Sequence, residues 1–174
     1  HIEAKVVDSN KNFILDRGKP GELCIKGYSV MKEYWKNKTE TKKAIDKDGW
    51  MRTGDLVLMR DDGYLEIVGR IKDTIIKGGE NIYPREVEEF LIKIDQIEQA
   101  YVFGVPDKTY GEIVGCWIKL EKNKFISENQ IKNKCKNKIA SFKIPSFFRI
   151  VDEFPMTASA VSYTHLRAHE TSLH

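Results

Sequence analysis

The distribution of apolar and polar residues predicts that the first part of the chain consists mainly of β-strands. Residues 2–7 and 22–26 are short runs in which apolar residues alternate loosely with polar ones, a pattern typical of strands. Residues 38–45 are a short, highly charged helix candidate that is ended by Gly49.

A β-hairpin is predicted next. Two strand-like runs, residues 56–59 and 64–68, flank the tripeptide Asp61-Asp62-Gly63. Aspartate favours turns and glycine readily adopts positive φ, which a tight turn requires. The first region, up to about Arg70, is therefore expected to be mostly β-structure.

Helical periodicity is clearest in the second region. A short strand is predicted at residues 72–77, and the following Gly78-Gly79 predicts a tight turn. Pro84 suits the first turn of a helix. Apolar residues then recur with helical spacing at Val87, Phe90, Leu91 and Ile94.

Further strands and a second helix complete this region. Residues 101–105, 113–120 and 147–151 are strand-like. Ser127 and Gln130 form a capping box at the start of a helix. The apolar stripe of that helix is Ile131, Cys135, Ile139 and Phe142. The predicted fold class is therefore α+β, with a β-rich region followed by a small α+β domain.

The charge balance argues against nucleic acid or an anionic membrane as the main partner. The 174 residues include 29 Lys and Arg and 26 Asp and Glu, a net charge of +3. Residues 119–143 hold eight Lys and two Glu, but they lack the interleaved aromatic residues of a nucleic-acid site, so a solvated helix face is the better interpretation. No apolar stretch reaches the roughly 18–20 residues of a membrane-spanning helix, and no signal pattern begins the chain, so we expect a cytoplasmic protein.

The cysteine and histidine residues exclude several kinds of active site. The three cysteines are odd in number and widely spaced, so neither a disulfide framework nor a metal-binding pair is expected, and they are predicted to be small core residues. They are Cys24, Cys116 and Cys135. Because residues 2–164 contain no histidine, catalytic triads, Cys-His dyads and histidine-bearing zinc sites are excluded there.

Both ends of the chain are expected to be artificial. A strand-like run follows His1 directly, which indicates a start inside a longer protein. Residues 161–174 differ in composition from the preceding chain and resemble translated sequencing-adapter read-through, so we predict a non-native tail. The alternative is a metal-binding tail that uses His165, His169 and His174, but these residues have no repeating ligand geometry.

Asp55 is the first candidate for ligand binding. It follows Arg52-Thr53-Gly54, between a predicted loop and the hairpin, so its carboxylate would stand at the entrance of a strand and project into a cleft. A carboxylate accepts two hydrogen bonds side by side, which matches a ribose 2′,3′-diol. A turn-forming aspartate is the alternative, and the tetrapeptide alone favours it.

Two glycine-containing segments are weaker candidates. Residues 69–73, GRIKD, form a charged junction that suits either a solvent-exposed pivot or an ordinary linker. Residues 77–81, KGGEN, let the backbone approach a ligand closely, although paired glycines usually mark only a turn. Neither segment is a GxxxxGK or GxGxxG phosphate-binding fingerprint.

Four sequence blocks, taken together and in order, identify a protein family more specifically than any one of them does alone. They are residues 21–27 (GELCIKG), 50–56 (WMRTGDL), 69–84 (GRIKDTIIKGGENIYP) and 140–159 (ASFKIPSFFRIVDEFPMTAS). In this order the chain resembles the C-terminal portion of the adenylate-forming enzymes, which include acyl-CoA synthetases, nonribosomal-peptide adenylation domains and luciferases. The GGENIYP segment is most similar to fatty or medium-chain acyl-CoA ligases. The resemblance covers nearly all of residues 2–159.

The resemblance implies a division of the chain at Lys72. Residues 1–71 would end the large AMP-binding domain, and residues 72–160 would form the C-terminal lid domain, which rotates about the hinge residue Lys72 between two half-reactions. Asp55 matches the family aspartate that holds the ribose hydroxyls of ATP and the acyl-adenylate. Arg70 matches the arginine that contacts the ribose and phosphate region, where a fixed cation suits an anionic nucleotide.

The reaction that the resemblance implies has two steps. A carboxylic acid, such as a fatty acid, attacks the α-phosphate of Mg²⁺-bound ATP to give acyl-AMP and pyrophosphate, and the thiol of CoA then attacks the acyl carbon and releases AMP. Positioning and charge neutralisation carry such a reaction, so no histidine is required.

The resemblance also implies residues that meet CoA. The loop of Lys77, Gly78, Gly79, Glu80 and Asn81 would line the pantetheine tunnel, with Asn81 near the nucleotide. Lys143 would meet a CoA phosphate, and a solvated lysine is the alternative.

The chain departs from the family pattern at Val161. The family continues after residues 155–159 with Gly-Lys, whose lysine stabilises the adenylation transition state, whereas this chain has Ala160-Val161. No catalytic residue is therefore predicted, and the isolated chain is expected to be inactive because the phosphate loop and acyl pocket of the large domain are also absent. Two alternatives stay open: an adenylation domain that loads the phosphopantetheine of a carrier protein, and a non-catalytic module that binds nucleotide or a partner chain.

Overall fold

The computed structural model of the chain describes residues 1–9 and 11–154. The chain divides into two compact units, of which the first is His1–Lys72 and the second begins at Asp73. Both units combine strands with short helices, so the α+β class predicted from the sequence is confirmed.

The first unit contains a four-stranded antiparallel sheet with its strands in chain order. The strands are β1 Ile2–Val7, β2 Pro20–Gly27, β3 Met51–Met59 and β4 Leu65–Arg70. Helix α1, Lys38–Ala44, follows β2 in the chain, and the Asn37 side chain caps it by accepting a hydrogen bond from the Glu40 N–H at 3.1 Å. The buried apolar residues of this unit include Val6, Val7, Cys24, Leu56 and Val57.

The predicted hairpin of the first unit is confirmed. Strands β3 and β4 pair with Met59 opposite Leu65. The Arg60 N–H donates to the Tyr64 carbonyl at 2.9 Å, and Gly63 has φ +87°. Glycine supplies the positive φ of this turn at no steric cost.

The second unit is a five-stranded sheet in which β8 is central. Its strands are β5 Ile75–Lys77, β6 Glu80–Ile82, β7 Ile97–Asp107, β8 Gly111–Leu120 and β9 Phe147–Ile150. The strand order is β6-β5-β8-β7, and β9 pairs with β8 in parallel. The longest pairing, between β7 and β8, is antiparallel.

Alternation along β8 divides the core of the second unit between the two faces of the sheet. Helices α2, Pro84–Leu91, and α3, Glu128–Cys135, contribute to the larger hydrophobic cluster. Val114, Cys116 and Ile118 of β8 belong to that cluster, whereas Trp117 packs with Phe103 and Val105 in a separate, aromatic-rich cluster. Successive side chains of a strand point to opposite faces, so both faces of this sheet are covered.

Two helices are shorter than the apolar pattern predicted. Helix α2 ends at Leu91, where the backbone hydrogen bonds change to a shorter spacing of three residues. The Ile94 N–H donates to the Leu91 carbonyl at 3.0 Å. Ile94 therefore joins the core from the turn that follows the helix. Helix α3 ends at Cys135 because Lys136 is extended (ψ 135°) and Asn137 has φ +62°. Ile139 and Phe142 pack against the core from the later segment.

The predicted strand at residues 72–77 is wrong in its first half. Ile71–Asp73 form a 3₁₀ turn, and only Ile75–Lys77 form a strand. Ile75 pairs with Ile82, so a longer ladder would set Asp73 opposite Pro84, which has no N–H and begins α2.

All three cysteines are buried free thiols, as predicted. Within the described ranges, no helix is long and apolar enough to cross a membrane. The same residues contain no group of three or more His, Cys, Asp or Glu side chains that could hold a metal ion.

Candidate functional site

An irregularity in β3 sets the position of Asp55. Arg52 pairs with Cys24 and Leu56 pairs with Glu22, so β3 has two more residues than β2 between these pairs. Gly54 takes φ +72° within this bulge, and the Asp55 N–H donates to the Thr53 hydroxyl at 3.0 Å. A bulge re-aims the side chains around it. The sequence placed Asp55 at a strand entrance; this is wrong, because β3 begins at Met51 and Asp55 lies inside it.

Arg70 lies directly opposite Asp55 on β4. The Arg70 Nε is 3.1 Å from the Asp55 Oδ1, and the two side chains are 57% and 30% exposed. A carboxylate has about four acceptor positions. One bond from Arg70 therefore leaves Asp55 with acceptor capacity on an accessible surface.

Lys72 ends the first unit. It is exposed and lies in the 3₁₀ turn Ile71–Asp73, two residues after the end of β4. The boundary between the compact units therefore falls one residue after the boundary expected from the resemblance.

The segment Lys77–Asn81 forms the tip of the β5–β6 hairpin. Lys77 pairs with Glu80, and the two residues between them, Gly78 and Gly79, have φ +59° and +87°. Two consecutive positive φ values are typical of a type I′ turn, which glycine adopts without strain. The Gly78 N–H donates to the Tyr110 carbonyl at 2.8 Å. The side chains of Glu80 and Asn81 and both glycines are exposed.

The two lysines expected to meet CoA have partners within the second unit. The Lys77 Nζ donates to the Phe142 carbonyl at 3.3 Å. The Lys143 Nζ bonds both carboxylate oxygens of Glu86, at 2.6 and 2.7 Å, and its side chain is only 20% exposed. The charge of Lys143 is therefore compensated by Glu86.

Sequence reasoning missed Glu112, which anchors β5. Its Oε2 accepts a hydrogen bond from the Ile76 N–H at 2.7 Å. Gly104 makes room for this side chain, because a Cβ at that position would lie 2.6 Å from the Glu112 Oε1. An isolated glycine inside a predicted strand is a signal of close approach, and it was available at Gly104.

Comparison with known proteins finds relatives of one kind of enzyme. Residues 86–160 match the family model of the AMP-binding enzyme C-terminal domain. Over 159 residues, 91% of the chain, it is 50% identical to YngI of Bacillus subtilis (strain 168), which carries an acyl-CoA synthetase assignment. Over most of its length the chain is therefore similar to adenylate-forming enzymes.

Other adenylate-forming enzymes extend the likeness. The chain is 43% identical, over 91% of its length, to the mitochondrial medium-chain acyl-CoA ligase ACSF2 of Bos taurus. Its structure matches ATP-bound MatB from Rhodopseudomonas palustris with a TM-score of 0.91 and 34% identity, over 95% of this chain and 33% of MatB. It matches the o-succinylbenzoate CoA synthetase MenE of Bacillus subtilis, in complex with its acyl-adenylate intermediate, with a TM-score of 0.85 and 32% identity, over 99% of this chain and 34% of MenE.

The chain spans 29% of YngI and 26% of ACSF2, which is under a third of either relative. Val161, which is predicted to stand at the position of the family's adenylation lysine, and the predicted foreign tail at residues 161–174 lie outside the described residues.

Proposed function

We propose that the chain is part of an ATP-dependent acyl-CoA ligase of the adenylate-forming family. The whole enzyme would convert a carboxylic acid, Mg²⁺-bound ATP and CoA to acyl-CoA, AMP and pyrophosphate through an acyl-adenylate. A fatty or medium-chain acid is the proposed substrate class, since the relative ACSF2 is named a medium-chain acyl-CoA ligase. The observation that carries the proposal is the accessible pair of Asp55 and Arg70 on neighbouring strands.

Asp55 is the proposed ribose ligand. Its carboxylate is held from one side by Arg70 and remains accessible, at 30% exposure. Two adjacent hydroxyl groups of a ribose would donate to the remaining acceptor positions of the carboxylate. Hydrogen bonds to a charged group are each worth about 1.5–3 kcal/mol. The two bonds from the ribose hydroxyls to Asp55 would therefore contribute substantially to nucleotide affinity.

Arg70 is proposed to act in two ways. It orients the Asp55 carboxylate across the ladder, and its guanidinium, 57% exposed, adds positive charge where a nucleotide phosphate would approach. A guanidinium keeps its charge at all physiological pH values and offers five N–H donors, so it can bond a carboxylate and a phosphate together.

The β5–β6 hairpin is the proposed element that meets CoA. The exposed Gly78-Gly79 backbone has no side chains that would block a narrow pantetheine arm. Asn81, exposed on β6, is proposed to lie near the nucleotide, and Glu80 to line the same channel. The contacts of Lys77 with Phe142 and of Lys143 with Glu86 favour positioning roles for these lysines over direct contact with a CoA phosphate.

Lys72 is the proposed hinge, and support comes from the unit boundary that directly follows it. The cytosolic location expected from the sequence stays a prediction, because the relatives include a bacterial protein and a mitochondrial one. We also propose that the 174-residue chain by itself does not adenylate, since Val161 cannot supply the cation of the family lysine.

A chimera tests the proposed function. Residues 2–154 would replace the matching segment of YngI, so that the rest of YngI supplies the acid pocket and the final residues. We expect acid-dependent exchange between ATP and pyrophosphate, and CoA-dependent release of AMP. Asp55→Asn should lower kcat/KM by about tenfold to a hundredfold, because two charge-assisted bonds are weakened.

Asp16→Asn is the matched control for the chimera. Asp16 is an exposed aspartate paired with Lys19 at 3.0 Å, and it lies outside the two strands that carry Asp55 and Arg70. Its substitution should leave kcat/KM unchanged. A folded chimera without exchange activity, or an Asp55→Asn variant as active as the parent, would contradict the proposed function.

A further inference from the structure

A cleft lies in the first unit, and none of the residues predicted to bind nucleotide or CoA lines it. Its volume is about 350 Å³, and its lining includes Lys5, Lys42, Lys43, Asp46, Trp50 and Arg52. We call it the Trp50 cleft. Its basic side chains come from three separate elements, β1, α1 and β3.

Two of the four cations that line the Trp50 cleft have carboxylate partners. The Arg52 Nε donates to the buried Glu22 at 2.7 Å, and the Lys43 Nζ donates to Glu40 at 2.7 Å. Lys5 and Lys42, in contrast, have no carboxylate at salt-bridge distance within the described part of the chain. The cleft therefore carries positive charge that the protein does not compensate by ion pairing.

Asp46 adds one negative charge to the cleft, against the four cations of its lining, and backbone donors hold its carboxylate. The N–H groups of Trp50 and Asp48 both donate to the Asp46 Oδ1 at 2.9 Å. The Trp50 N–H is the main cause of a lowered pKa for Asp46, with further contributions from the Asp48 N–H, Lys5 and Lys26. Asp46 is thus an ionised group that fixes the backbone of the cleft floor.

Trp50 fixes the position of the ammonium groups. The Lys5 Nζ lies 4.0 Å from the centroid of the Trp50 ring, and the Lys26 Nζ lies 5.9 Å from it. Cation–π attraction of this kind is worth about 0.5–1 kcal/mol at exposed sites. It lowers the conformational freedom of two lysine side chains before any ligand arrives, which reduces the entropic cost of binding an anion.

We infer that the Trp50 cleft binds an anion that carries two or more phosphate groups. Ammonium groups bind phosphate as point charges, and here they converge from separate elements on one space. The volume is near the lower limit of small-molecule sites, roughly 300 Å³, so a single phosphate would fill only part of it. The inference does not depend on the proposed ligase function, because Asp55 and Arg70 are not among the residues that line the cleft.

Calorimetric titration of the 174-residue chain with pyrophosphate at low ionic strength tests the inference. We expect saturable binding that weakens as salt is added, because exposed charges are screened. Lys42→Gln and Lys5→Gln should each reduce the affinity by about fivefold to tenfold, the loss of one charge-assisted contact. Lys47→Gln is the matched control, since it removes the same charge from an exposed lysine outside the cleft lining. Circular dichroism would show that each variant is folded.

Three comparisons decide the result. Citrate is a polyanion without phosphate, and affinity for it equal to that for pyrophosphate would overturn the phosphate assignment. Arg70→Gln should keep its pyrophosphate binding, and loss of binding in that variant would place the anion at Arg70 and overturn the inference. Absence of saturable binding, or an equal loss in Lys47→Gln, would also overturn it, whereas selective loss in the two cleft variants would support it.

Discussion

Asp55 and Arg70 face each other across β3 and β4, with the Arg70 Nε 3.1 Å from the Asp55 Oδ1. A bulge in β3 that includes Asp55, and one extra residue in β4, Val68, set this alignment. The register shifts between β2 and β3 before Leu56, and between β3 and β4 after Leu56. The pair is therefore held by sheet geometry while its side chains stay accessible to a ligand.

Substitution of this pair should affect ligand binding much more than stability. Asp55→Asn and Arg70→Gln should each change the free energy of unfolding by less than about 1 kcal/mol, because exposed ion pairs contribute little. Urea denaturation followed by circular dichroism measures this change. A loss of more than about 2 kcal/mol would show that the pair is a structural element, since ordinary surface substitutions stay well below that value.

The pair of Glu22 and Arg52 should behave in the opposite way. The Glu22 side chain is only 7% exposed, and Arg52 also bonds the Asn12 side chain at 2.7 Å. Arg52→Met would leave a buried carboxylate without its cation, which should cost roughly 2–4 kcal/mol of unfolding free energy. Arg60→Met is the control: the Arg60–Asp62 pair is 56% and 45% exposed, so we expect a change of about 0.5 kcal/mol or less. Equal effects of the two substitutions would contradict this prediction.

The backbone conformation at the tip of the β5–β6 hairpin should require glycine. Gly79 has φ +87° and no atom that a Cβ would meet within 4 Å, so Gly79→Ala tests backbone strain alone. We expect a loss of about 1–2 kcal/mol. Gly69→Ala is the matched control, because Gly69 also has free space but lacks a positive φ. Thermal or urea denaturation should show little change in stability for Gly69→Ala. A Gly79→Ala variant as stable as the parent would contradict the prediction.

Cys116 should make the stability of the protein depend on alkaline pH. Burial raises the pKa of the Cys116 thiol well above its ordinary value of 9.0. The unfolded chain ionises this thiol first, so the contribution of Cys116 to stability is complete below about pH 9 and is lost progressively as the pH rises towards the folded-state pKa.

Urea denaturation of the parent and of Cys116→Ala across this range isolates the effect, because other titrating groups are common to both. We expect Cys116→Ala to be less stable near neutral pH, by about 1 kcal/mol for the small cavity. The difference should shrink at alkaline pH, because the variant has no buried thiol to keep protonated. Parallel stability curves would be evidence against the predicted linkage.

Local signals in the sequence determined several elements. Strand β1 occupies residues 2–7 as predicted, Pro84 begins α2, and the capping box of Ser127 and Gln130 is formed at the start of α3. Each of these features depends on residues close together in the chain, so its physical cause is visible in the sequence. The sequence itself raised Asp55 as a candidate, but the nucleotide-binding roles predicted for Asp55 and Arg70 depend on the resemblance of their segments to a known family.

The tertiary structure decided how those residues are presented. Three features join parts of the chain that no local periodicity connects. They are the β3 bulge, the contact of Glu112 with the Ile76 N–H, and the pairing of Lys143 with Glu86. The ends of α2 and α3 were also missed, because apolar residues continued to recur after the backbone had left the helix. Spacing along a chain reports which side chains are buried, whereas hydrogen bonds between distant strands and helices fix where each element stops and which polar groups meet.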